Sequence, residues 1–504
     1  MCCIKVKKRK NHRVYLREEE EDRMEKTTII NSLIYKFMER CGYQGVAFLV
    51  QIVLARLLSP TDYGVISLLT IFINVSQVFV QSGLNTALIQ KKEVDEVDYS
   101  SVFFVSIGIA VGLYGVLFFA APYIALFYNM PELSKYLRIL AIILIPGAFN
   151  SIQNAQIARK MEFKKLMYST WVAVIVSGIV GILLAYLDFG TWALVFQQLT
   201  NQILICIILF KLLEWRPSLK FSWKKVRVLF SFGWKLLCSS LIETIYTNLQ
   251  GLVIGKKFNS STLGVYNRGK QFPQLLVDNI NGSIQSIMLP TLSKYQDDKE
   301  ILKSMMRRSI VTSSLIIFPL LTLMGIIARP LITLVLTDKW SGCVPYMIIY
   351  CFIYAFMPIH TANLQAINAQ GRSDQFLKLE IVKKCYGVLI LCITIGLFES
   401  PIAIAIGGAV STLISCFVNA HPNKKLLDYS YLEQMKDILP EMLLSFIMGV
   451  AIYPISFINM PDILLIIIQV ICGIFVYCLL ALIFKLEPFL YLVNTIRMYI
   501  GLPK

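Results

Sequence analysis

Two rows of amide and hydroxyl side chains are the residues of this chain best suited to hold a polar ligand. Ser67, Thr70, Asn74, Gln77, Gln81 and Asn85 form the first; Asn267, Gln271, Gln274, Asp278, Asn281 and Gln285 form the second. Steps of about three and four residues set each row along one face of a helix. At an offset of 200 positions Ser67 meets Asn267, Asn74 meets Gln274, Gln81 meets Asn281 and Asn85 meets Gln285. Arg56 and Lys256 coincide at the same offset, as do Gly64-Val65 and Gly264-Val265. Smaller polar patches stand at Gln44 and Gln51, at Glu243, Thr247 and Gln250, at Asn150, Gln153 and Asn154, and at His360 with Asn363. A single amide of this kind is explained by a hydrogen bond between helices, worth about 0.6–2 kcal/mol. Two rows in register read better as walls of a hydrated cavity between repeated lobes. Both readings stay open at this level.

The elements that carry these rows follow from apolarity. Of 504 residues, 56% are hydrophobic and only 16% charged, and the mean hydropathy is +0.65. A bilayer-spanning helix takes about 20 apolar residues. A soluble enzyme, a secreted disulfide scaffold and a disordered protein are excluded, and the chain reads as an all-α polytopic membrane protein. Apolar runs near 37–58, 64–86, 102–121, 137–157, 168–187, 191–213, 234–254, 264–288, 309–327, 344–367, 385–398, 402–418, 438–457 and 463–484 predict about fourteen spans. The expected organisation is two pseudo-symmetric six-helix lobes, 24–213 and 234–425, around a central cavity. An interfacial cytoplasmic connector at 214–233 joins them, two further helices fill 438–484, and 485–504 forms a cytoplasmic tail. Helices thirteen and fourteen are expected to be almost free of polar residues apart from Gln469 and to face lipid. Residues 1–23 read as a charged cytoplasmic leader, with Met24 as an alternative start.

Charge placement sets the orientation. With both termini inside, the outer segments and outer helix ends hold only Arg56, Lys135, Arg138, Lys256, Lys257, Arg268, Lys270, Arg329 and Lys339 of the 48 Lys and Arg. Cytoplasmic loops collect basic residues, so the net charge of +17 belongs to the inner membrane face and anionic lipid rather than to nucleic acid. The connector, LEWRPSLKFSWKKVRVLFSFGW, interleaves aromatic rings and cations as an interfacial segment does. The 12 cysteines and three histidines show no metal-ligand spacing. No phosphate-binding glycine loop with its lysine, no Gly-x-Ser-x-Gly elbow and no large extramembrane segment is present. These absences point away from an enzyme and towards a secondary transporter.

The segments LARLLSPTDYGVISLLTIF (54–72) and GVYNRGKQFPQLL (264–276), with the span pattern, resemble bacterial polysaccharide flippases. These belong to the multidrug/oligosaccharidyl-lipid/polysaccharide exporter superfamily, and the similarity is to its colanic-acid and teichuronic-acid exporter branch. The resemblance implies two six-helix lobes around a cavity, and an undecaprenyl-pyrophosphate-linked oligosaccharide carried from the inner to the outer leaflet. It further implies work beside polysaccharide polymerase and export machinery in the bacterial cytoplasmic membrane. Amides and hydroxyls suit the sugars, and pyrophosphate calls for cations. Arg40, Arg56, Lys256, Arg268 and Lys270 are the candidates, against snorkelling to an interface. Glu243 and Asp278 are carboxylates at span depth, where an ionisable group is functional or paired. Proton or sodium coupling and a structural pairing are both open for them. The alternative function is a multidrug-type small-molecule antiporter of the same superfamily, which would favour aromatic and acidic walls.

The charge bias predicts cytoplasmic termini and a cytoplasmic connector. Single cysteines placed in 214–222 of a cysteine-free variant should resist membrane-impermeant maleimide in intact cells and react after permeabilisation. Labelling in intact cells would overturn the topology.

Overall fold

Inside lipid a backbone must satisfy its own hydrogen bonds, and this one does so with helices. The structure is a computed structural model that describes residues 34–81, 83–296 and 298–500, and no strand occurs among them. The expected leader, 1–23, lies outside the described residues. Contacts divide the chain into two compact units, one ending at Lys256 and one beginning at Lys257.

The first unit contains α1 (34–57), α2 (Pro60–Gln81), α3 (Leu84–Gln90), α4 (Glu96–Phe127), α5 (Leu133–Leu140), α6 (Leu144–Lys160), α7 (Phe163–Tyr186), α8 (Thr191–Leu212) and α9 (Trp223–Lys257). The second contains α10 (Ser260–Lys294), α11 (Lys299–Ile326), α12 (Ala328–Leu336), α13 (Cys343–Ala355), α14 (Met357–Ala369), α15 (Ser373–Leu397) and α16 (Pro401–Leu426). It continues with α17 (Tyr431–Ile452), α18 (Asp462–Ile483) and α19 (Glu487–Ile500). The order repeats. A long helix with an internal proline, Pro122 in α4 and Pro319 in α11, precedes a broken span and a pair of long helices in both units, and α12 is a short helix added in the second.

Small residues allow the close packing that replaces a hydrophobic drive between helices in lipid. A Cβ on Gly42 would strike the Trp171 ring, and one on Gly178 would stand 2.5 Å from Val50, so α1 is clasped to α7. A Cβ on Gly269 would stand 2.7 Å from the Cys343 carbonyl oxygen, which is how closely α10 lies on α13. Gly83, at φ +74°, ends α2 and lies against Gly233 of α9, where a Cβ would stand 2.5 Å from the Gly233 carbonyl oxygen. The second expected span, drawn as continuous over 64–86, is therefore broken. Asn85 stands on α3, off the helix that carries Gln81.

Ten of the described helices are long and apolar enough to cross a membrane, and the bent pair Trp223–Ser231 and Gly233–Lys257 makes an eleventh. This is a multi-pass membrane protein. The fourteen expected stretches all fall on helices, yet the count of fourteen is not reached by this measure. The reason is physical: α1 carries Arg40, Gln44, Gln51 and Arg56, α10 spends its length on the polar row, and the apolar stretch of α15 is shortened by Glu380, Lys383 and Lys384.

Two further differences concern borders. Most of the expected connector's second half is already helix, as the first turns of α9. The extended part is tied to α4: Ser218 and Ser222 donate backbone N–H groups to Ser100 and Ser101, at 3.0 and 2.9 Å. Lys225 pairs with Asp95, the residue capping α4. That hydrogen bond, with the Asp98 N–H, lowers the exposed Asp95 carboxyl to about 2. A depressed carboxyl adds stability above the ordinary carboxylate range and loses it only as pH falls through about 2, so the tie holds at neutral pH. The expectation that α17 and α18 are bare and lipid-facing is also corrected. Their inner faces pack on α11 and α12 through Leu444, Met448, Ile452 and Tyr477, Leu465 is buried, and Glu441 is 1% exposed.

Candidate functional site

The rows seen in the sequence divide, in three dimensions, into residues that tie helices together and residues left facing outward. In α2, the Ser67 and Thr70 hydroxyls turn back to the Tyr63 and Ile66 carbonyls at 2.6 and 2.7 Å. Gln77 lies over Gly147 of α6, where a Cβ would come within 2.6 Å of its amide nitrogen. Gln81 donates to Gln77, and both Asn74 and Gln81 are exposed. Asn85 is half-buried on α3. Asn150 and Gln153 are buried; their amides donate to the Gln202 and Cys206 carbonyls of α8 at 3.2 and 3.3 Å. Asn150 therefore joins α6 to α8, while Asn154 one turn on is exposed.

On α1, Arg40 and Arg56 are exposed and Gln44 and Gln51 half-buried; the Gln51 carbonyl accepts from the Tyr63 hydroxyl at 3.4 Å. On α9, Glu243 and Thr247 are exposed and Gln250 half-buried, with the Thr247 hydroxyl bonded to the Glu243 carbonyl at 2.9 Å. Lys256 is engaged structurally. Its ammonium bonds the Phe127 carbonyl and lies 4.3 Å from that ring's centroid, placing a cation at the C-terminus of α4, where the helix dipole favours it.

The second row carries the denser chemistry. Arg268 is 6% exposed; its guanidinium donates to Gln271 at 2.5 Å and lies 5.9 Å from the Trp340 ring. Lys270 stands 5.6 Å from the Tyr350 ring. Asp278 lies about two turns along α10 from Lys270. Asn267 and Gln274 are half-buried, Asn281 is buried and Gln285 is exposed.

Around these charges stand four tyrosines that the sequence reading did not single out. The Tyr266 and Tyr350 hydroxyls are hydrogen-bonded to each other. Tyr266 meets Tyr346 edge-on at 5.5 Å, and Tyr350 lies 5.8 Å from Tyr354. The signal was present: Tyr346, Tyr350 and Tyr354 recur at helical spacing on α13. The four tyrosines are buried together with Arg268, and Lys270 is half-buried beside them.

His360 and Asn363 fall elsewhere. The His360 ring meets Asn419 at 3.0 Å and Cys416 at 3.6 Å, both on α16. Asn363 is fully buried. It donates to Gln434 at 2.8 Å and accepts from Asn423 and Gln434 at 2.7 and 3.0 Å. This amide knot fastens α14 to α16 and α17.

The fold is a transporter fold. It superposes on a lipid II flippase, MurJ in an inward closed conformation, with a TM-score of 0.73 at 17% identity, over 91% of this chain and 99% of that one. The chain belongs to the polysaccharide biosynthesis protein family, whose profile matches residues 53–345 and so includes both segments that carried the resemblance. It is similar to the lipopolysaccharide biosynthesis protein WzxC of Escherichia coli (strain K12), 21% identical over 421 residues, 81% of this chain and 85% of that one. The teichuronic acid biosynthesis protein TuaB of Bacillus subtilis (strain 168) is 25% identical over 304 residues, 59% of this chain and 62% of that one.

The sorting of amides is testable. Asn363→Leu strands the amides of Asn423 and Gln434 and should cost about 1–3 kcal/mol. Asn74→Leu, at an exposed position, should stay within about 0.5 kcal/mol. Thermal unfolding in detergent compares them, and equal losses would mean that Asn74 is also packed.

Proposed function

We propose that the protein flips an undecaprenyl-pyrophosphate-linked oligosaccharide repeat unit from the inner to the outer leaflet of the bacterial cytoplasmic membrane. The product is surface polysaccharide, and both termini stay in the cytoplasm. The observation that carries this reading is that a member of the polysaccharide biosynthesis family shares its fold, over 91% of its length, with a lipid II flippase. A polyprenyl tail can remain in hydrocarbon while the sugar–pyrophosphate head cannot, so the protein has only the head to shelter.

The residues supply what that task requires. Exposed amides on α2 and half-buried amides on α10 offer donors and acceptors without fixed charge. The Lys270 and Arg268 cations, set among the tyrosines, serve the pyrophosphate, with Arg40 and Arg56 as exposed cations on α1. Lys256 has its own work at the end of α4. The head group moves by alternating access, in which repeated units change which leaflet their polar faces serve. A carboxylate biases such an exchange only if it prefers one state; Asp278, on the same helix as Lys270, and Glu243 fill that place. Released product passes to a polymerase outside.

Removing a cation that pairs with phosphate should cost about 1.5–3 kcal/mol, or roughly tenfold and more in export. In a strain lacking the native gene, wild type should restore surface polysaccharide. Lys270→Ala should restore about a tenth or less at similar protein abundance, with Lys270→Arg milder. Full restoration by Lys270→Ala would contradict the role given to Lys270.

A further inference from the structure

A buried carboxyl on α17 has no part in the site described above. Glu441 is 1% exposed and lies within a helix apolar and long enough to cross a membrane. Lys303 with Glu433 and Arg307 with Asp437 pair at one sequence offset, so α11 and α17 run side by side in parallel. That register brings 311–315 of α11 alongside 441–445 of α17. On this stretch, Ser314 is fully buried with no hydrogen-bond partner for its hydroxyl. The Leu315 carbonyl accepts from the Tyr477 hydroxyl of α18 at 3.1 Å.

The contrast with Asp437, one turn earlier, is informative. Asp437 is paired with Arg307 at 2.5 Å and accepts a hydrogen bond from the Tyr429 hydroxyl at 2.6 Å. The Glu441 Oε2 atom has no hydrogen-bond partner, and no cation among the described residues pairs with it. The titratable and polar groups around it are Asp437 and Ser445 on its own helix, Ser314 on α11 and Tyr477 on α18. Arg307 is held by Asp437, and Arg308 lies over the Tyr491 ring of α19 at 4.0 Å. A dry carboxylate without a counter-ion is costly, whereas a carboxylic acid in the same place is tolerated.

We propose that Glu441 is a proton-binding site, neutral while α11, α17 and α18 are packed together and ionised when α17 parts from them far enough to wet the carboxyl. The proton leaves to water and returns from water, and no other reactant is needed. Protons then favour the packed junction, and alkali loosens it. This holds whatever substrate the protein carries, so it stands apart from the proposed function.

Hydrogen–deuterium exchange of purified protein in nanodiscs tests it, at about pH 6 and about pH 8.5, with intrinsic rates corrected. Peptides from α17 and α18 should exchange roughly tenfold faster at the higher pH in the wild type. Glu441→Gln, which keeps shape but cannot ionise, should stay slow at both. The infrared band of a protonated carboxyl should be present in the wild type, shift on 13C-glutamate labelling, and vanish in Glu441→Gln. A wild type with no such glutamate band, or a pH response that survives in Glu441→Gln, overturns the proposal. Absence of the band in the labelled wild type overturns the proposal even where the variant does not fold.

Discussion

A polar group inside a bilayer has no water to fall back on, and this constraint orders the whole molecule. It makes the backbone helical and sorts the side chains. Some polar residues answer it locally, as Ser67 and Thr70 do by folding back on the preceding turn. Others answer it between helices: Asn150 ties α6 to α8, and the Asn363 knot ties α14 to α16 and α17. Others, such as Asn74 and Gln81, stay exposed on α2, Gln81 with its amide bonded to Gln77.

The helices and the repeat were legible because both write themselves at long range: apolar runs of span length, and two polar rows at a constant offset. From α4 and from α11 onward the order of elements repeats, with an internal proline in each of those two helices, although α9, expected as the first helix of the second lobe, falls with the first unit. What a helical period cannot show is which face meets which neighbour. Asn150 and Asn154 are one turn apart and looked equivalent, yet one is buried against α8 and the other exposed. Lys256 looked like a twin of Arg56, but a carbonyl at the end of α4 claims it. The break at Gly83 was hidden because a single glycine within an apolar run reads as helix until its contact with Gly233 is seen. Glu441 was passed over because its surroundings are so apolar, which is the very property that gives it consequence.

Family, fold and site chemistry converge on one task. A membrane protein of the polysaccharide biosynthesis family, with the fold of a lipid II flippase, places cations among tyrosine rings and hydroxyls on α10 and α13. The serine ties fix the connector to α4.

The most direct measurement is flipping by the purified protein. Liposomes are made with a polyprenyl-pyrophosphate-linked oligosaccharide in both leaflets, and an added impermeant glycosidase cleaves whatever faces outward. Without protein, cleavage should stop at about half of the lipid, since a sugar pyrophosphate head does not cross hydrocarbon unaided. With the protein present, cleavage should run on towards completion. A plateau at half in its presence, with correctly folded protein in every vesicle, would contradict the account.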